Sequence, residues 1–367
     1  MARKRRCLFG IAVDVARLGR ARRMRSRTDG LAWLLVLAVG TLDAVWLRHV
    51  NFTIDGFGLA AGCLAVLLAI ALGYGASGRS LRLASLAHWT ALFMCASGSL
   101  AILSYLAATV APPLRDVELT HLDNALGFDW LSVFVWLLRY QSLLILLFVG
   151  YGSFLPQIIG TLVYFALRGD EEANRELVWT LVLGALVTVA ISALYPAACS
   201  PDVYGSIPPD NATELVALRY RFEACGGPDL TALRAGAPSL FHFTSMAGIV
   251  ALPSFHTIVA LLLVYAHRRQ RWLFCCSLAL NGLMLLSVPP VGGHYLMDLL
   301  AGAAVAGALI AVAQWKRAGR RRVALAAEAD RRRPREALSA GQGVLELDPE
   351  RAVDREALAA ADGNGEA

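Results

Sequence analysis

His294 and Asp298 lie four residues apart in the stretch Val291-Gly-Gly-His-Tyr-Leu-Met-Asp-Leu-Leu-Ala-Gly302, which places an imidazole and a carboxylate inside an otherwise apolar run. On a helix that spacing stacks the two side chains on one face, so the carboxylate holds one ring nitrogen and leaves the other to act. Gly292 and Gly293 permit close backbone approach, and a helix N-terminus at this point favours an anion such as a phosphate. Seen alone, a histidine on an apolar helix is more often a satisfied core residue than a catalyst. A second stretch changes that balance. Leu252-Pro-Ser-Phe-His-Thr257 sets a proline, the Ser254 hydroxyl and His256 at the head of another apolar run, in the order of a helix start. One oriented histidine and one beside a hydroxyl supply a nucleophile and a proton donor. In-line phosphoryl transfer needs little more than these and donors for the equatorial oxygens.

The elements that must carry these heads are membrane helices. The chain has 367 residues, 57% of them hydrophobic and 17% charged, with a mean hydropathy of +0.55. Its apolar runs match the ~30 Å of hydrocarbon that a spanning helix crosses. The formal charge of +6 comes almost wholly from arginine, because Lys4 and Lys316 are the only lysines. Basic residues flank the apolar runs, which is the positive-inside pattern and argues against nucleic acid as a partner. The reading is therefore an all-α, polytopic membrane helix bundle of about eight transmembrane helices.

In chain order the expected spans are 31–50, 57–74, 84–110, about 141–167, 177–195, 246–266, 272–288 and 294–315. Residues 1–28 form an arginine-rich cytoplasmic tail without the features of a secretory signal. An interfacial stretch follows Pro112-Pro113, with Trp130 and Trp136 at the level of the headgroups and a helix up to about Tyr140. Residues 29–111 form an N-terminal membrane section, 112–315 the core with an outer loop at 199–241, and 316–367 a charged cytoplasmic tail. The basic links (the N-tail, Arg79/Arg82, Arg168/Arg175, Arg268 to Arg271, Lys316 to Arg322) then share the cytoplasmic side. Both histidine heads fall on the outer face.

Pro253-Ser254-Phe255-His256 and Gly293-His294-Tyr-Leu-Met-Asp298 resemble the second and third motifs of the type 2 phosphatidic acid phosphatase superfamily. The Gly-Gly-His-Tyr-x-x-Asp form is most similar to its inositolphosphotransferase-like branch. The resemblance covers the last six spans, as a six-helix phosphatase-like core, and is specific in these two short stretches. It implies that His294 attacks phosphorus to form a phosphohistidine, that Asp298 orients it, and that His256 protonates the leaving alcohol. It implies that Ser254 and the Gly293 backbone hold phosphate oxygens. The substrate expected is a phospholipid or an isoprenoid phosphate, and the acceptor is water or an alcohol.

Two departures from that pattern stand out. Ser287 and Val288 occupy the positions where the third motif carries Ser-Arg, and no lysine or Arg-Pro pair supplies the first motif. Replacement cations are sought in Arg219 and Arg221 of the outer loop, in Arg115 and in Arg139, each of which is otherwise a solvated or snorkelling arginine. The chemistry asks for no metal and no cofactor; a His242, His256 and His294 metal site is the less favoured alternative. Cys199 and Cys225, both in the outer loop, are expected to form a disulfide, whereas Cys63, Cys95, Cys275 and Cys276 fall within apolar runs as buried packing residues. The competing function is a transporter or channel using His294, Asp298 and His256 as a proton or polar pathway, and intramembrane ionisable groups mark such routes too. No inverted repeat supports it.

Overall fold

The computed structural model describes residues 29–198, 227–246 and 248–342. They form an all-α bundle: α1 (Asp29–His49), α2 (Gly58–Ser77), α3 (Leu81–Ala108), α4 (Asp116–Ala125), α5 (Trp130–Leu138), α6 (Gln141–Gly152), α7 (Phe154–Arg168), α8 (Glu171–Leu194), α9 (Gly227–Arg234), α10 (Phe255–Ala266), α11 (Arg271–Gly292) and α12 (Leu296–Gln342). A two-stranded parallel pairing of β1 (Phe52–Asp55) with β2 (Ser239–His242) joins the link after α1 to the segment ahead of α10. The chain divides into two compact units, Met1–Ile310 and Ala311–Ala367, and the site lies wholly in the first.

Among the described residues six helices are long and apolar enough to cross a membrane: α1, α2, α3, α8, α11 and residues Leu296–Val323 of α12. The expected fourth span is divided between α6 and α7, interrupted only at Ser153, which keeps right-handed backbone angles. α5 and α6 meet at 117°. That break falls between Leu138 and Gln141, where the sequence separates an interfacial helix from a span.

The expected sixth span is shorter than its apolar run. Its helix, α10, starts at Phe255 because Pro253 disfavours helical geometry in the residue before it and Ser254 caps the first turn, accepting the Thr257 N–H at 3.3 Å. A twelve-residue helix is ~18 Å long and does not reach across the bilayer by itself. It has no need to, since α10 is wrapped by protein on its sides: Ile258, Val259, Ala260 and Leu263 are fully buried against α7, α8 and α11. Non-helical backbone at its head is tolerated for the same reason.

Other boundaries shift for identifiable reasons. α8 begins at Glu171, ahead of the expected start, because Asp170 caps it by accepting the Ala173 N–H at 3.0 Å and two glutamates face its N-terminal dipole. α11 runs through Pro289 and Pro290 to Gly292, past the expected end of its span. The buried Trp130 indole donates to the Pro289 carbonyl at 2.8 Å, so Trp130 is a core residue and not an interfacial one; Trp136 is the exposed member of the pair. Cys63, Cys275 and Cys276 are free and exposed on the outside of their helices, which corrects their expected burial; Cys95 is half-buried. A side chain facing lipid has no hydrophobic reason to be inside.

Candidate active site

The two histidine heads come together. Asp298, on the first turn of α12, accepts at its carbonyl the backbone N–H of Ser254 at 3.0 Å. One turn further along α12, Gly302 lies so close to the head of α10 that an added Cβ would stand 2.6 Å from the Ser254 carbonyl oxygen. Only a residue without a side chain lets these backbones approach to that distance.

His294 precedes α12 instead of lying within it. Gly293 ends α11 in the left-handed region at φ 67°, and three residues, Gly293 to Tyr295, make the whole turn into α12. The His294–Asp298 pair therefore forms by capping geometry, not by stacking on one continuous helix. The Nδ1–H of His294 donates to Asp298 Oδ2 at 3.1 Å, and the backbone N–H of Tyr295 donates to the same oxygen at 3.0 Å. Asp298 is fully buried and His294 is 4% exposed. With Nδ1 held, the lone pair of Nε2 is the reactive one.

His256 sits in the first turn of α10, within electrostatic range of His294. Its ring is stacked on Tyr151 of α6 at 3.9 Å between centroids and 21° between planes, and Phe154 of α7 meets it edge-on at 4.7 Å. Its Nε2 is buried and has no hydrogen-bond partner among the described residues. Tyr151 also packs at the turn that carries the other histidine. A Cβ on Gly292 would stand 2.7 Å from Tyr151 Cε2 and 2.8 Å from His294 Cδ2.

The anion seat at the start of α12 is filled from within the chain. Asp123 of α4 accepts the N–H groups of Leu296 at 2.7 Å and Met297 at 3.1 Å. Asp116, one helical heptad earlier, accepts the Tyr295 hydroxyl at 2.9 Å and the Ala198 N–H at 3.0 and 3.1 Å. Burial raises the Asp123 carboxyl above the usual carboxylate range, against the two N–H donors, which pull it down. The sequence places 115–127 at the interface as a polar stretch and gives these acids no role. The signal was there: Asp116, Leu119 and Asp123 recur at helical spacing and are the buried face of α4.

The remaining candidates are placed as follows. Ser254 is fully buried and its hydroxyl caps α10, and Gly293 lies at the turn beside His294. Arg115 is half-buried and pairs with Glu118 at 2.9 Å, and Arg139 is exposed. His242 is drawn away to Asp55 across the β1–β2 pairing, at 2.9 Å, and not to the two site histidines. Arg219, Arg221, Cys199 and Cys225 lie outside the described residues. Arg234 of α9 donates to the Pro112 carbonyl at 2.7 Å beside the start of α4.

No curated protein and no solved structure matches the chain. A family model described as the PAP2 superfamily matches residues 117–312, more than half of the chain, from α4 through the first turns of α12. That stretch contains His256, His294, Asp298, Tyr151 and Asp123. This membrane protein belongs to the PAP2 superfamily, a name that generally denotes phosphatase-type enzymes.

Proposed function

We propose that the chain is an integral membrane enzyme that transfers a phosphoryl or phosphodiester group from a lipid donor through a phosphohistidine on His294. The observation that carries the reading is the pairing of an imidazole fixed at Nδ1 by a buried carboxylate with a second, stacked imidazole whose Nε2 has no partner among the described residues. In the first step the Nε2 lone pair of His294 forms a bond to phosphorus as the bond from phosphorus to the lipid oxygen breaks. A proton from His256 goes to that oxygen, releasing a neutral alcohol. Asp298 stabilises the positive charge that His294 acquires. In the second step His256 takes the proton of an incoming hydroxyl, whose oxygen displaces His294 from phosphorus.

Water as the acceptor gives a phosphatase, and an alcohol such as inositol gives a phosphotransferase. The likeness of Gly292-Gly293-His294-Tyr295 to the inositolphosphotransferase-like branch favours the second. The donor is a phospholipid or an isoprenoid phosphate, and Ser254, Gly293, Arg219 and Arg221 hold its phosphate oxygens. The site faces the outer leaflet and both termini are cytoplasmic, a reading supported by the basic links at the opposite end of the helices.

The test is direct. Purified protein is incubated with a panel of phospholipids and isoprenoid phosphates, with and without inositol, and free phosphate, phosphorylated inositol and the released lipid alcohol are followed. His294→Ala should abolish turnover and the acid-labile phosphoenzyme together. His256→Ala should be slow with alkyl donors and partly rescued by a leaving group of low pKa, which needs no proton. Turnover by His294→Ala would overturn the assignment.

A further inference from the structure

We propose that α4 is a two-point clamp on the histidine turn, with Asp116 and Asp123 as positioning residues for the His294–Asp298 couple. The inference rests on the function proposed for that couple. The two carboxylates lie on one face of a ten-residue helix and both are buried, Asp116 at 5% exposure and Asp123 at 2%. Burying two acids side by side near a third, Asp298, is costly unless each is held by donors. The donors described for them belong to two structural joins: Tyr295, Leu296 and Met297 on the histidine turn, and Ala198 after α8.

The geometry says what the clamp fixes. Residues 295 to 297 are the three that follow His294. The Tyr295 backbone N–H goes to Asp298, its hydroxyl goes to Asp116, and the next two N–H groups go to Asp123. Asp298 thereby keeps one oxygen for His294 Nδ1 and Tyr295 N together, while the start of α12 is satisfied by Asp123. Without Asp123, the N–H groups of Leu296 and Met297 would lose their acceptors, and Asp298 Oδ1, buried with no partner among the described residues, would draw them. That pull would turn the carboxylate away from the geometry in which its Oδ2 holds the imidazole. The other end of the clamp is anchored independently of the turn: Arg115 N–H donates to the Pro196 carbonyl at 2.9 Å, and Ala198 N–H returns to Asp116. α4 thus references the nucleophile to the end of α8.

The experiment compares wild type with Asp123→Ala, Asp123→Asn, Asp116→Asn, Tyr295→Phe and the Asp116→Asn/Tyr295→Phe double variant, all as full-length protein in detergent. The competent fraction of each is first counted by phosphoenzyme burst. For Asp123→Ala, kcat per competent site should fall on the order of 10²-fold, as for a misplaced reacting group, with KM nearly unchanged. The pH profile of kcat should shift on the limb that reports the imidazole. Asp123→Asn keeps one acceptor oxygen and should restore part of the rate. Asp116→Asn and Tyr295→Phe should be non-additive, because they break the same bond. A lowered competent fraction with normal kcat and pH profile at the surviving sites would overturn the clamp and leave a purely structural helix. Absence of a phosphoenzyme in wild type, by contrast, would overturn the functional reading itself and the clamp with it.

Discussion

Tyr151 is the side chain against which the His256 ring is held. Its ring stacks on His256 and its edge lies against Gly292, at the turn that carries His294, so this aromatic holds the His256 ring next to that turn. Tyr151→Phe keeps the stack and should change kcat less than tenfold, whereas Tyr151→Ala frees the His256 ring and should cost on the order of 10²-fold. The loss in Tyr151→Ala should shrink with a leaving group of low pKa, since the misplaced His256 is the acid proposed for that step. A Tyr151→Ala enzyme at the wild-type rate with alkyl donors would remove the ring from any positioning role. His294, Asp298 and His256 were legible in the sequence because polar groups in apolar runs stand out and their spacing is short. Tyr151 was not, because an aromatic in a membrane helix carries no signal until the fold shows what it touches. Ser254 was legible as a helix-start hydroxyl, and its hydrogen bond to Thr257 N is the expected cap.

The elements are held at the site by close backbone contacts, and these make separable predictions. Gly302→Ala would set a Cβ 2.6 Å from a backbone oxygen of the α10 head, which cannot rotate away. Such overpacking costs roughly 1–3 kcal/mol, so a lower unfolding temperature and a large loss of activity are expected. Gly307→Ala on the same helix meets nothing within 4 Å and should be neutral or slightly stabilising. Equal behaviour of the two variants in a thermal melt and an activity assay would refute the packing argument. Asp123 adds a pH dependence. Its carboxyl is raised by burial in the folded state, so the native form binds the proton more tightly than the unfolded chain. That contribution is fully present below the ordinary carboxylate range and is lost as pH rises through the raised value. The unfolding temperature of wild type relative to Asp123→Asn should therefore fall across that window; a constant difference would contradict it. Hydrophobic runs made the long helices legible. The boundaries were harder because caps decide them: Ser254 and Pro253 shorten α10, Asp170 extends α8, and α11 continues through a proline pair whose Pro289 carbonyl is taken by Trp130. The role of α4 was hidden, since a short polar helix reads as surface until its acids are seen buried.

At the scale of the molecule, the described contacts sort the links of the first unit into two ends. At one end Asp29 pairs with Arg175 at 3.0 Å, Arg268 with Glu176 at 3.2 Å, and His88 near the start of α3 packs edge-on against Trp33 at 6.0 Å. At the other, Phe52, Tyr105, Leu233, Phe241 and Ile249 form one apolar cluster, and the Tyr105 hydroxyl donates to Asp229 at 2.7 Å. Between them runs a polar seam within the apolar layer, where Asn281 donates to Gln157 at 2.8 Å and Gln157 to the Ser153 hydroxyl at 2.9 Å, a form of helix pairing suited to hydrocarbon. The sorting into ends was legible because arginine marks the links, whereas the seam was not, since Asn281 and Gln157 lie on different helices. The membrane prediction follows from the arginines. If the basic end is cytoplasmic, as the positive-inside bias requires, single cysteines at Arg79 and Arg269 should be labelled only from the cytosolic side, and one at Thr244 only from outside. The measurement uses sealed vesicles and a variant in which the seven native cysteines are replaced. Thr244 is exposed beside β2 and Arg269 is exposed beside Arg268, so neither position depends on opening the bundle. Outside labelling at Arg269 with inside labelling at Thr244 would invert the chain in the bilayer. It would put the histidine site on the cytoplasmic leaflet, and lipid phosphates made there would become the donors to test.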